Sequence, residues 1–183
     1  MVTKRFVLFV VAAAVVAAGA AQAAEAPTGF RAEFLRQLDD VGKKLVDLAN
    51  AVPAEKYSWR PAEGVRSVSE VFVHVAAGNY GIMRATGMQP PAGLDMRSLE
   101  KTVTEKAKVV EFVKESFDRT RQFVQNMPDG DLEKQVKFFG GRETPIRNVL
   151  FFLAQHEHEH LGQSIAYARM NGVVPPWSRK GGE

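Results

Sequence analysis

From Thr28 onward the apolar positions fall every three or four residues. Phe30, Phe34, Leu38, Val41, Leu45 and Leu48 lie on one stripe of an amphipathic helix, with Thr28 placed to cap its start and Pro53 just past its end. Pro53 to Val65 reads as a loop carrying Tyr57, Trp59 and Pro61. A second helix is expected from Ser67. Ser67-Val68-Ser69-Glu70 fits a capping box, and Val68, Val71, Phe72, Val75, Ile82 and Met83 supply its apolar face. Pro90 and Pro91 break the pattern. A third helix is expected from about Thr102 to Met127, through Val103, Val110, Val113, Phe117 and Val124. Pro128-Asp129-Gly130 is a turn. In Gln135 to Glu143, Val136 and Phe138 alternate with polar residues before Gly140-Gly141, which fits a small hairpin or an irregular loop. A fourth helix follows, with Thr144 as N-cap and Pro145 in the first helical position. It runs through Ile146, Val149, Leu150, Leu153, Ile165 and Met170 to Asn171-Gly172, where glycine can take the left-handed conformation. Four such helices joined by short or medium connections predict an all-α fold, a four-helix bundle.

The first residues follow a different pattern. Lys4 and Arg5 precede an unbroken apolar or small run from Phe6 to Ala21, and Ala21-Gln22-Ala23 then offers small residues where signal peptidase reads them. The run is shorter than the roughly 20 residues a membrane span needs. Residues 1–23 therefore read as a cleaved secretory signal, with cleavage after Ala24 the alternative, and residues 24–183 as one domain. The expected location is the periplasm, with no stable membrane span once the signal is removed. Losing Lys4 and Arg5 leaves 22 of the 24 basic residues against 21 acidic ones, a net of +1. No basic face with interleaved aromatics is visible, so nucleic acid is not an expected partner. The chain has no cysteine, which excludes disulfides, thiolate chemistry and Cys-ligated zinc.

The candidate chemistry lies in four histidines, His74, His156, His158 and His160. His156 and His160 stand four apart and share one face of the last helix, a spacing that lets two imidazoles chelate one metal ion. His158 is about 200° around the axis from either and points away. Ile146, Val149 and Leu153 lead into His156 at helical intervals, so the pair continues the stripe expected to face the core. Imidazoles there are costly unless their nitrogens find partners, and a metal, a polar cleft or a buried carboxylate could each serve. His74 lies in line with Val71 on the second helix. If that helix packs on the fourth, His74 can complete a three-histidine site.

Two carboxylates are candidates to assist. Glu70 stands four residues before His74 on the same face, although its capping-box role accounts for it without catalysis. Glu157 stands three residues before His160, as a solvated group or a hydrogen-bonding partner behind the ligands. Gln163, three after His160, can point at the same place. Tyr57, Trp59 and Tyr80 could line a pocket or simply pack in the core.

Tyr57-Ser58-Trp59-Arg60-Pro61, Arg66 to Glu70, His74, the run His156 to Gln163, Tyr167 to Gly172 and Pro175-Pro176 together resemble the DinB-like family, also called DinB/YfiT-like, whose members are read as metalloenzymes. The resemblance implies a four-helix bundle and a three-histidine site for a divalent metal ion, zinc or nickel. By motif position the ligands are His74, His156 and His160. It also suggests a homodimer, and it does not imply DNA repair. Three neutral imidazoles leave the ion an open position, so a metal-dependent hydrolase acting on a small molecule is the leading expectation, with metal-activated water as nucleophile and Glu70 or Glu157 assisting. A non-enzymatic metal- or ligand-binding module and a thiol-dependent transferase are the alternatives.

Overall fold

The structure is a computed structural model that describes residues 26–179. The expected signal, residues 1–23, lies outside the described residues. Four long helices form the bundle: α1 (Gly29–Ala51), α2 (Val68–Met83), α4 (Lys106–Gln125) and α5 (Ile146–Met170). A single turn, α3 (Leu99–Thr102), sits on the connection between α2 and α4. Strands β1 (Gln135–Phe138) and β2 (Arg142–Pro145) form an antiparallel hairpin before α5, with Val136 opposite Thr144. Among the described residues no helix is long and apolar enough to cross a membrane.

Each of α1 and α2 packs against both α4 and α5, so the order around the bundle is α1, α4, α2, α5. α1 and α2 occupy opposite corners, as do α4 and α5. The α1 stripe predicted from periodicity is buried at Phe34, Leu38, Val41, Leu45 and Leu48, while Phe30 at its start is exposed. Full burial of each such side chain is worth about 1.5–3 kcal/mol, and this stabilisation holds α1 against its two neighbours. Tyr57, from the loop after α1, is also in the core and donates its hydroxyl hydrogen bond to the Ala49 carbonyl at 2.8 Å. Tyr80 is fully buried, and Trp59 packs edge-on against Tyr167 at 5.4 Å between ring centroids.

The capping box at the start of α2 is present in both directions. The Glu70 N–H donates to Ser67 Oγ at 3.3 Å, and the Ser67 N–H donates to a Glu70 carboxylate oxygen at 2.6 Å. The hairpin is real rather than irregular, turned by Gly140 and Gly141 at φ of +70° and +77°, where a side chain would be strained.

Three expectations about the helices change. The third predicted helix starts later than expected, and a separate single turn ends where it was expected to begin. Val103 leaves helical geometry at φ −100°, ψ 86°, and Glu105 is extended, so α3 stops at Thr102 and α4 begins at Lys106. Pro145 is the N-cap of α5 and not its first helical residue, because it is still extended and paired with Gln135 in the hairpin, as Thr144 is with Val136. The third change concerns the buried face of α5, which runs through Val149, Leu150, Leu153, Glu157, Leu161 and Ser164. The centre of that stripe passes through Glu157. His156 and His160 lie on its flank and are half-buried.

Glu157 is therefore not a solvated group. It is fully buried, and burial pushes its pKa well above the ordinary carboxylate value. Asn79 of α2, turned with its amide nitrogen toward Glu157, donates to Oε1 at 3.1 Å, and Oε2 has no partner. A carboxyl with a raised folded-state pKa is tolerated below its unfolded value of 4.5 and destabilises as pH climbs above it. Glu157→Gln, an isosteric mimic of the protonated acid, is thus expected to match the unaltered metal-free protein near pH 4. Above that it should gain on it by up to about 1.4 kcal/mol per pH unit, until the folded pKa is passed. Urea unfolding across this range measures the gap; parallel stability curves would refute it.

Candidate metal centre

The α2–α5 seam brings together three of the four histidines. One ring nitrogen from each of His74, His156 and His160 lies within 4.8 Å of the other two. Ring centroids are 4.6 to 5.2 Å apart, and the His74 and His156 Nε2 atoms approach to 3.3 Å. His156 and His160 share a face because they are one α-turn apart, and His74 joins them because α2 packs on α5.

The outer nitrogens of two rings are held. His74 Nδ1 is 2.9 Å from Glu100 Oε1, and His160 Nδ1 is 2.8 Å from Gln163 Oε1. Both partners are acceptors, so each Nδ1 carries the proton and donates, and each Nε2 turns a lone pair inward. Gln163 is in turn held by its amide nitrogen, which donates to the Tyr167 hydroxyl at 3.1 Å. His156 Nδ1 is buried and has no partner. The His156 ring instead lies over Gly78 of α2. A Cβ at position 78 would stand 2.3 Å from its Cε1, so glycine is what lets the ring reach the centre.

Burial favours the neutral form of His74 and His156. Burial lowers the pKa of His156 to about 4, helped by the repulsion it would meet from protonated His160 and His74 and from Arg66. Burial also lowers that of His74; Arg66 and His160 act in the same direction, against the pull of Glu100. Neutral imidazole is the form that ligates a metal.

Glu100, on α3, was not among the sequence candidates. Its second oxygen accepts from Arg66 Nε at 2.8 Å. Desolvation raises its pKa, but Arg66 and His74 together outweigh that and hold it below the ordinary range. Nothing in the local pattern marks it, since it lies 26 residues from His74 on a single turn of helix. The other two carboxylates are engaged elsewhere. Glu70 accepts from the Ser67 N–H and pairs with Arg60 at 3.1 Å. Glu157 points into the bundle at Asn79. Neither hydrogen-bonds a histidine. His158 is exposed, with Nδ1 2.8 Å from the Ala154 carbonyl oxygen, and lies outside the cluster.

Helices in this order around a core, with a histidine cluster on the seam between two of them, define a four-helix bundle of the kind that builds its site from facing helices. The model of the DinB superfamily matches residues 37–164, and the chain belongs to that superfamily. Solved structures with the same fold include a DinB-like protein from Bacillus cereus, at 21% identity and a TM-score of 0.70, covering 78% of this chain and 93% of that one. A second is the DinB-like protein YjoA from Bacillus subtilis, at 19% identity and a TM-score of 0.60, covering 78% and 93%. A third is YfiT from Bacillus subtilis, described as a probable metal-dependent hydrolase with an unusual four-helix bundle topology. It is 14% identical, with a TM-score of 0.64, and the match covers 82% of this chain and 93% of YfiT. No curated protein matches the chain.

Proposed function

We propose that the protein binds one divalent metal ion, zinc or nickel, through His74, His156 and His160, and acts as a metal-dependent hydrolase on a small molecule. The observation that carries this reading is the inward convergence of the three rings. With Nδ1–H donated outward by His74 and His160, each leaves Nε2 as a lone pair in a cluster where His74 Nε2 lies 3.3 Å from His156 Nε2, and one proton on His156 Nε2 can reconcile only part of that crowding. A cation removes the conflict for all three, and a neutral three-imidazole donor set suits it. Such an ion would supply Lewis acidity, polarising a carbonyl or phosphoryl oxygen and activating water near neutral pH.

Exposure favours an enzyme over a sealed binding module. The His74 side chain keeps 26% of its surface accessible, and all three rings are only half-buried, so one side of the cluster faces solvent. The chain's own residues hold the geometry: Glu100 and Gln163 fix two rings, and Gly78 admits the third. The kinship with YfiT, which carries the hydrolase description, supports the choice of reaction class. Residues 1–23 have the layout of a secretory signal, and we place the mature protein in the periplasm on that ground.

The test is the metal content of the mature protein purified without a polyhistidine tag. One divalent ion per chain is expected. Failure to retain zinc, nickel or any other divalent ion after incubation and desalting overturns the reading. Chelator-sensitive turnover in a panel of esters, amides and phosphoesters then separates a hydrolase from a module that only binds.

A further inference from the structure

We infer that Glu100 is a positioning residue for the metal centre: held by Arg66, it locks His74 in the tautomer that turns Nε2 toward the ion. The inference rests on the metal-binding reading above. Its basis is the chain of contacts Arg66 Nε–Glu100 Oε2 at 2.8 Å and Glu100 Oε1–His74 Nδ1 at 2.9 Å. An imidazole has one proton to place on two nitrogens. A carboxylate can only accept, so contact with Glu100 draws the proton to Nδ1 and leaves Nε2 as the lone pair. A negative charge behind the ring also raises its basicity toward a metal in front.

The elements that deliver Glu100 serve this arrangement. α3 is a single turn whose Leu99 is buried among the core side chains, and this anchors the next residue beside His74. Arg66 immediately precedes the α2 N-cap and reaches across to the same carboxylate. Glu100 is thereby tied from both sides, to the histidine on α2 and to the residue just before that helix. His160 is oriented in the same sense by a neutral amide, Gln163, and His156 by packing on Gly78. Among the three, only His74 has a charged group behind it.

The test uses zinc alone with the mature full-length protein and two variants, Glu100→Ala and Glu100→Gln. Zinc affinity is measured by competition with a chromophoric chelator, and the tautomer of His74 in the metal-free protein by 15N NMR of the histidine rings. In the unaltered protein His74 is expected to carry its proton on Nδ1. Glu100→Ala should move it to Nε2 and weaken zinc about 10–100-fold. Glu100→Gln preserves shape but keeps one acceptor of two and removes the charge; Arg66 can only donate and takes that oxygen, so the amide N–H faces Nδ1, and this variant too should move the proton to Nε2 and lose affinity. A tautomer change in a variant that keeps the side chain's shape is one that a purely structural role for α3 would not give. If the unaltered protein binds zinc and both variants bind it equally well, or if the tautomer is unchanged in Glu100→Ala, the positioning role is overturned while the metal reading stands. If the unaltered protein binds no zinc or other divalent ion, the metal reading itself is overturned.

Discussion

Replacing His160 by alanine is expected to strip the protein of stoichiometric metal, whereas replacing His158, two residues away, is expected to leave metal content and affinity unchanged. Structural zinc sites contribute roughly 10–16 kcal/mol over three or four ligands. One ligand is then worth about 3–4 kcal/mol, or on the order of 10²–10³ in affinity. The contrast is sharp because the two residues share a helix and a composition and differ only in azimuth. His160 stands in the cluster with Nδ1 tied to Gln163, and His158 is on the solvent face with Nδ1 against the Ala154 carbonyl. Metal analysis of the two variants side by side decides it. Stoichiometric metal surviving His160→Ala removes His160 from the ligand set, and an equal loss in His158→Ala would mean that the exposed histidine binds as well.

The second large effect needs no change to any ligand. Gly78→Ala puts a methyl group where His156 Cε1 now lies 2.3 Å away, so the ring must move. A metal–nitrogen bond spans about 2.0–2.1 Å, and a shift of about 1 Å takes the nitrogen out of range. Affinity is expected to fall nearly as far as when a ligand is deleted, roughly 10²-fold. The backbone effect has the opposite sign, since alanine is favoured over glycine inside a helix by about 1 kcal/mol. Metal loss at undiminished thermal stability of the metal-free form is the expected signature, read by calorimetric titration and by circular dichroism melts. Unimpaired zinc binding by Gly78→Ala would show that the ring has room to retreat without leaving the centre.

Much of this site could be read from the chain before any coordinates. The i, i+4 spacing put His156 and His160 together, the capping box fixed where α2 begins and so which way His74 faces, and the 200° offset separated His158. Gln163 was within reach by the same helical arithmetic. Other features depend on facts that periodicity does not carry. Glu100 stands 26 residues from His74, on a single turn that lies before the helix the periodicity predicts from about Thr102. Gly78 matters only because of which ring from another helix crosses it. The three-residue step from Glu157 to His160 suggests a place behind the ligands. The steps of four from Leu153 to Glu157 to Leu161 put the carboxyl on the core line instead.

The order of helices around the bundle bears on how the molecule assembles. Of the three consecutive pairs of long helices only α2 and α4 are neighbours; α1 and α2, and likewise α4 and α5, face each other across the diagonal. A simple up-and-down bundle can zip together from local hairpins, but this chain can form only one such hairpin before it must close large loops, and closing them is slow. His74 and His156 are 82 residues apart, on the seam joined by the last long helix to be made. The nascent chain therefore offers the His156–His160 pair alone. The third nitrogen arrives only with tertiary closure, so occupancy of the full site reports that the whole bundle has folded.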